Sequence, residues 1–271
     1  MKIFITGTTG FLGRSLREHF EVNYEIIEYQ RGTDVFMALE ANQPNMIIHC
    51  AGEIYCADLM YDTNVRLTHD ILEWVRANPL TRMITIGSSS EYGPVPRATT
   101  EQDPIRPQNL YEATKGAATL LCQGYSRQYD LDILVARIYS GYGAYEREHR
   151  LFPRLYRAFF NNEPMTLYAG VHDFIYIEDF VRGIDQLLHR DWPAGEIVNF
   201  GSGVQTSNYA VLEAWQRVTD RTGAVAYIDQ KNKAHDTDIW LCDTTYAREQ
   251  YGFSTEYTLE QGIADFIRKM T

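Results

Sequence analysis

Thr6-Gly7-Thr8-Thr9-Gly10-Phe11-Leu12-Gly13 decides the architecture of this chain. It follows a short apolar run at residues 2–6 and opens a helical pattern over residues 11–20. Its glycines are spaced G-x-x-G-x-x-G. A strand that enters a helix this way uses Gly7 for the tight turn. Gly10 lets backbone N–H groups approach a pyrophosphate, and Gly13 lets helix and strand pack closely. The helix then turns the positive end of its dipole toward the phosphates. The turn is predicted to bind a dinucleotide, with Gly7, Thr9, Gly10, Phe11, Leu12 and Gly13 as its contacts.

Working outward, apolar runs at residues 24–29, 46–50, 83–86 and 133–138 read as further strands. Helical patterns cover residues 62–77 and 111–129. Strands alternating with helices require right-handed crossovers, so the fold class is α/β: a doubly wound parallel sheet covered on both faces. After about residue 139 the rhythm breaks. Helices are predicted at 152–161, 177–189, 207–220, 244–251 and 259–269, with short strands at 165–167 and 197–200. Residues 1–139, with interleaved later segments, form the cofactor domain in this reading, and residues 140–271 form mainly a smaller α/β substrate lobe.

The bulk properties narrow the partners. The 271 residues carry a formal net charge of -11, and 45% of them are hydrophobic. That acidic field repels phosphate backbones and anionic bilayers, so no nucleic acid and no membrane surface is expected as a partner. Cys50, Cys56, Cys122 and Cys242 follow no zinc spacing and no disulfide framework, so reduced thiols and no metal are expected. Residues 1–5 run straight into the glycine turn without a signal-peptide pattern, and no apolar run reaches membrane-spanning length. A soluble cytoplasmic protein is the expectation.

Cofactor choice is read at the end of the second strand, where an acidic residue holds the adenosine ribose of NAD and an arginine accommodates the NADP phosphate. The segment is Glu28-Tyr29-Gln30-Arg31-Gly32. If alternation holds to the end, Gln30 takes the acidic position and Arg31 follows it, which leans toward NADP. If the strand ends earlier, Glu28 takes the ribose and NAD is favoured.

Tyr111 and Lys115 stand at i and i+4 of a helical pattern and share one face. An ammonium beside a phenol favours the phenolate, which fits Tyr111 to exchange a proton with a hydroxyl or carbonyl. Upstream, Gly87-Ser88-Ser89-Ser90-Glu91-Tyr92-Gly93 ends a strand in hydroxyls. Ligands of an open parallel sheet bind beyond the carboxyl ends of its strands, and a hydroxyl there stabilises a developing oxyanion.

These motifs, in this order, resemble the NAD(P)-dependent epimerase/dehydratase family of extended short-chain dehydrogenases/reductases. The resemblance also rests on Ile47-Ile48-His49-Cys50-Ala51-Gly52, on Asn64-Val65, and on Arg137-Ile138-Tyr139-Ser140-Gly141-Tyr142-Gly143. It extends to His172-Asp173-Phe174-Ile175-Tyr176-Ile177-Glu178-Asp179. It implies a Rossmann-like cofactor domain, a C-terminal lobe that binds a nucleoside diphosphate sugar, and a homodimer built on two long helices. It implies Ser88, Tyr111 and Lys115 as the catalytic set, with the last two also touching the cofactor. Arg31 follows the ribose position, Asp34-Val35 matches the adenine contact, and Ala51-Gly52 matches the loop against the cofactor. Ser89, Ser90, Ser140, Arg154 and His172 fall at substrate positions.

Three departures bear on the reaction. His172 replaces the family's arginine and cannot form its bidentate fork. Ser140 replaces an asparagine, and Ala144 replaces a proline. Arg147, Arg150 and Arg154 are candidate compensating charges. The acidic pair of the dehydratases falls on Ser89 and Ser90, with Glu91 one place late, which disfavours dehydration unless a one-residue gap restores Glu91. The leading expectation is a nucleotide-sugar epimerase or 4-keto reductase. A 4,6-dehydratase, a reductase of a non-nucleotide carbonyl, and a non-catalytic cofactor sensor remain as alternatives.

Overall fold

The computed structural model describes residues 1–231 and 237–271. In chain order the elements begin with β1 (Lys2–Thr6), α1 (Phe11–Phe20), β2 (Glu25–Glu28), α2 (Val35–Asn42), β3 (Met46–His49) and α3 (Ala57–Met60). They continue with α4 (Leu67–Ala77), β4 (Arg82–Ser88), α5 (Leu110–Tyr129), β5 (Ile133–Ile138), β6 (Ser140–Tyr142) and α6 (Leu151–Phe160). Next come β7 (Met165–Ala169), β8 (Val171–Tyr176), α7 (Ile177–Leu188), β9 (Glu196–Phe200) and β10 (Gln205–Ser207). The chain ends with α8 (Asn208–Thr219), β11 (Val225–Lys231), α9 (Thr245–Tyr251) and α10 (Leu259–Met270).

Two compact units emerge. The first comprises Met1–Gly93, Glu101–Ile138 and Ile184–Asn199, and the second Pro94–Thr100, Tyr139–Gly183 and Phe200–Thr271. A six-stranded sheet in the order β2-β1-β3-β4-β5-β9 organises the first unit. The pairs β1–β2, β1–β3, β3–β4 and β4–β5 are parallel. From β1 the chain crosses to β2 on one side and then to β3 on the other, so the order reverses beside the glycine turn. In open α/β sheets, ligands bind at the strand ends beside such a reversal.

The first unit's core joins Phe4, Ile47, Met83, Ile133 and Val135 of the sheet to Leu39, Ile71, Leu72, Trp74 and Val75 of the helices. Each such side chain contributes about 1.5–3 kcal/mol through burial. The indole of Trp74 stays satisfied by donating to Glu40 Oε2 at 3.0 Å. In the second unit, β10-β8-β6 and β11-β7 form two small sheets, and α8 packs on α10. An aromatic nucleus fills this unit, with Tyr142 stacked on Phe152 at 4.0 Å between centroids.

Several elements differ from the sequence reading. The strand predicted at 197–200 belongs to β9, the sixth strand of the large sheet. The helix predicted at 62–77 is α4 preceded by a wide π-turn at Tyr61–Arg66, and that turn follows the short α3. Within it, the side chain of Asn64 is buried and bonds elsewhere in the unit. β8 was not anticipated, because Asp173 interrupts its apolar pattern. That carboxylate is buried and accepts from Ser202 N, Ser202 Oγ, Gly203 N and Cys242 N.

Candidate active site

The glycine turn is sterically forced. Gly7 has φ +75°, and a Cβ there would lie 2.8 Å from Ala51 N. A Cβ on Gly13 would fall on the Gly7 carbonyl oxygen and 3.0 Å from Thr8 N. Gly10 is the N-cap of α1 and supplies no side-chain cap, while Thr9 sits between them in the turn. Phe11, Leu12 and Gly13 are the first three residues of α1. The N–H groups of that uncapped first turn suit a pyrophosphate, so the residues fit a dinucleotide. Gly13→Ala should therefore cost about 1–3 kcal/mol through overpacking. It should weaken NAD binding at least tenfold, about 1.4 kcal/mol. Thermal melts and calorimetric titration check both.

Around this turn, β2 ends on Glu28, an exposed carboxylate, and Arg31 lies in the exposed turn that follows. Asp34 caps α2 by accepting from Met37 N at 3.1 Å. Val35 is buried in the core of the first unit. Ala51 N donates to Thr6 Oγ1 at 3.0 Å, and Gly52 lies beside Asn64.

A buried polar chain runs from this turn to the tyrosine helix, and its proton positions can be deduced. Thr6 Oγ1 accepts from Ala51 N and lies 2.7 Å from His49 Nδ1. Thr68 Oγ1 donates to Asn64 O at 2.8 Å, so it accepts from His49 Nε2, 3.0 Å away. His49 is therefore the neutral Nε2–H tautomer. Burial, reinforced by the Lys115 charge, pushes its pKa down to about 3. Asn64 Oδ1 accepts from Glu53 N at 2.7 Å, and its amide donates to Glu53 O and to Thr114 Oγ1, each at 2.9 Å. Thr114 in turn donates to Tyr111 O at 3.0 Å.

Side chains fix the start of helix α5. Asn109 accepts from Glu112 N at 3.0 Å, and Glu112 accepts from Asn109 Nδ2 and Gln108 N. Tyr111 is the second helical residue, half-buried. One turn on, Lys115 Nζ donates to Ile86 O at 2.6 Å and so ties α5 to β4. Burial pulls the Lys115 pKa down, with Glu91, Cys122 and Cys50 opposing. Burial also pushes the Cys50 and Cys122 thiols up to about 12, so both are unreactive.

Ser88 closes β4 and caps a short 3-10 turn, Ser89–Tyr92. Ser88 Oγ lies 2.7 Å from Ser90 Oγ, and Ser89 is buried. Glu91 is fully buried. Its Oε1 accepts from Ser88 N at 2.7 Å. Its Oε2 accepts from Thr119 Oγ1 at 2.7 Å and Arg137 Nε at 2.9 Å. Ser88, Tyr111 and Lys115 thus share the first unit. Sequence reasoning assigned no role to His49, Thr68 or Thr114, and it saw Asn64 only as part of a motif. Their signal is polar residues inside apolar periodicities, which spacing alone does not resolve.

In the second unit, Ser140 Oγ lies 3.2 Å from His172 Nδ1, so two of the substrate candidates touch. Arg154 is held by Thr166 O at 3.1 Å. Arg150 pairs with Glu146 Oε1 at 3.1 Å, while Glu146 Oε2 is buried without a partner. Burial raises the Glu146 pKa from 4.5 to about 7 against the pull of Arg150. A carboxyl raised on folding stabilises the native state below its unfolded value and loses that stabilisation as pH climbs. The parent chain should lose stability between pH 4.5 and about 7, and Glu146→Gln should lack that loss. Urea unfolding across that range checks it.

Among the described residues, no group of three His, Cys, Asp or Glu side chains could hold a metal ion, and no helix is long and apolar enough to cross a membrane.

The chain is similar to several known proteins. The Low-salt glycan biosynthesis protein Agl12 of Haloferax volcanii is 29% identical over 79% of this chain and 70% of its own. A dTDP-glucose 4,6-dehydratase of Streptomyces griseus is 26% identical over 81% and 70%. The crystal structure of UDP-Glucuronic acid 4-epimerase from Bacillus cereus, in complex with UDP-Glucuronic acid and NAD, superposes with a TM-score of 0.87. That superposition covers 100% of both chains at 21% identity. Residues 3–201 match the family model described as NAD dependent epimerase/dehydratase family. With most of its length matched, from the glycine turn past β9, the chain belongs to the NAD dependent epimerase/dehydratase family.

Proposed function

We propose that the chain is a nucleotide-sugar epimerase or 4-keto reductase in which Tyr111 moves the proton. The observation that carries this reading is the anchoring of three groups to one strand. Ser88 ends β4, Lys115 bonds to Ile86 O of the same strand, and Tyr111 stands one turn before Lys115 on α5. A bound nicotinamide would supply the hydride chemistry. Lys115 favours the Tyr111 phenolate and keeps ammonium protons for the cofactor ribose. Ser88 donates to the reacting oxygen, and its neighbour Ser90 can accept the proton of the Ser88 hydroxyl when that oxygen is absent.

The positions of a dehydratase's acidic pair hold Ser89 and Ser90, and the carboxylate of Glu91 is consumed by three internal donors. That supports epimerisation or ketone reduction over water loss. In the second unit, the Ser140–His172 pair and Arg154 are proposed contacts for the nucleotide part of the substrate. Assembly is proposed through α4 and α5, where Leu120 is left exposed. A sedimentation measurement that finds only monomer would remove that proposal.

The end of β2 at Glu28 favours NAD over NADP. NAD should bind at least tenfold more tightly, and Glu28→Ala should erase most of the difference. Stronger NADP binding by the parent chain would instead give Arg31 the deciding role.

Incubation with UDP-glucose, UDP-glucuronic acid and a 4-keto sugar nucleotide separates the reactions. Stoichiometric loss of reduced-cofactor absorbance identifies a reductase. A new stereoisomer without net absorbance change identifies an epimerase. A 4-keto-6-deoxy product would defeat both. If neither UDP nor dTDP raises the melting temperature, the nucleotide-sugar assignment yields to a non-nucleotide carbonyl.

A further inference from the structure

We propose that Glu91 is a positioning residue of the active site, whose buried carboxylate locks the Ser88 end of β4 to the face of helix α5 that carries Lys115. The inference rests on the reading of Ser88, Tyr111 and Lys115 given above and adds a residue that acts through them.

The geometry comes first. Glu91 collects donors from three elements at once: the Ser88 backbone at the end of β4, Thr119 of α5 and Arg137 of β5. Thr119 stands one helical turn after Lys115, as Lys115 stands one turn after Tyr111, so all three share a face of α5. One carboxylate therefore sets the distance between the strand end bearing the hydroxyl and the helix bearing the phenol and ammonium. The backbone has been shaped to admit it. A Cβ on Gly87 would lie 3.0 Å from Glu91 Oε1, 2.8 Å from Arg137 Cγ and 2.9 Å from Val135 Cγ1. The capping box at Ser88 is closed by the same Glu91 side chain.

The charge argument follows from burial. An ammonium taken out of water loses its proton unless an anion opposes the change. The groups that act on Lys115 are few. Glu91, from the turn after β4, is the first of those that oppose its discharge. Cys122 on α5 and Cys50 after β3 follow, and both stay neutral thiols because their own pKa is pushed up to about 12. His49 on β3 is neutral. Arg137 on β5 faces Glu91, and Tyr111 shares the helix. Glu91 is thus the one carboxylate among these groups. A neutral Lys115 would no longer favour the Tyr111 phenolate, so the buried pair reaches the chemistry through the lysine.

The chain has only five lysines, so Lys115 can be titrated directly. Carbon-13 labelling of the lysine side chains, with Lys115→Arg to assign the signal, gives its protonation midpoint by NMR in the full-length protein. Glu91→Gln preserves the shape of the side chain but removes its charge and leaves Arg137 unopposed. The Lys115 midpoint should fall by about one pH unit, a tenfold change in its protonation equilibrium. Glu91→Leu combined with Arg137→Met leaves no uncompensated charge, so it stays measurable if the single variant folds poorly. It should show a smaller fall in the same direction. Midpoints equal to the parent's in both variants would overturn the inference. The underlying reading fails separately, through a Tyr111→Phe variant that still turns over.

Discussion

Tyr111→Phe should lower turnover by about a thousandfold while leaving NAD affinity within about twofold of the parent. The substitution deletes one oxygen, and other side chains fix the start of the helix. The start of α5 is fixed by Asn109, Glu112 and Gln108, and Thr114 bonds to the Tyr111 carbonyl rather than to its ring. Lys115 keeps its bond to Ile86 O. The glycine turn and its steric neighbours are untouched. A loss confined to turnover then isolates the proton-transfer role, because uniform damage to the fold would weaken cofactor binding as well. Steady-state rates with a responsive sugar nucleotide give the first quantity, and fluorescence titration with reduced cofactor gives the second. Full turnover in the variant would remove Tyr111 from the chemistry. A parent chain that binds NAD and turns over nothing would favour a cofactor-sensing role.

How much of this was legible in the sequence depends on which physical signal carried it. The glycine turn was legible because Gly7 and Gly13 answer to backbone sterics, and sterics leave a compositional mark. The parallel strands were legible because both faces are covered, which makes β3 and β5 buried throughout and apolar except at His49 and Arg137. The Tyr111–Lys115 pair was legible because one helix carries both. Glu91 was not. Read along the chain, it is one residue late for an acid/base role, and only the ion pair with Arg137 shows that it serves the interior. The same limit hid Asn64, whose partners Glu53 and Thr114 lie 11 and 50 residues away. A helical period predicts which face is buried but not that a π-turn will carry an amide into it. β8 was hidden by Asp173, and β6 and β10 by their shortness, since three residues show no alternation.

Arg137→Met should destabilise the protein by about 3–5 kcal/mol, the cost of stranding a buried charge. Both partners are almost completely buried, at 1% and 0% side-chain exposure, so water cannot compensate either one. Arg137 also lies over the Tyr92 ring, 4.4 Å from its centroid, and Tyr92 OH donates to Asn199 Oδ1 at 2.8 Å. Removing the guanidinium therefore strips the carboxylate of its counter-charge and the ring of its cation. Pairing the change with Glu91→Leu should recover part of the loss, because no charge is then left in the interior. Recovery should be incomplete. Ser88 N and Thr119 Oγ1 would lose their acceptor, and an orphaned buried donor costs about 1–3 kcal/mol. Urea unfolding of the parent, both single variants and the double variant closes the cycle and yields the coupling energy. A single-variant loss below about 1 kcal/mol, in the range of an exposed pair, would show that the interior tolerates Glu91 alone. It would also mean that the lock between β4, β5 and α5 is held by packing rather than by charge.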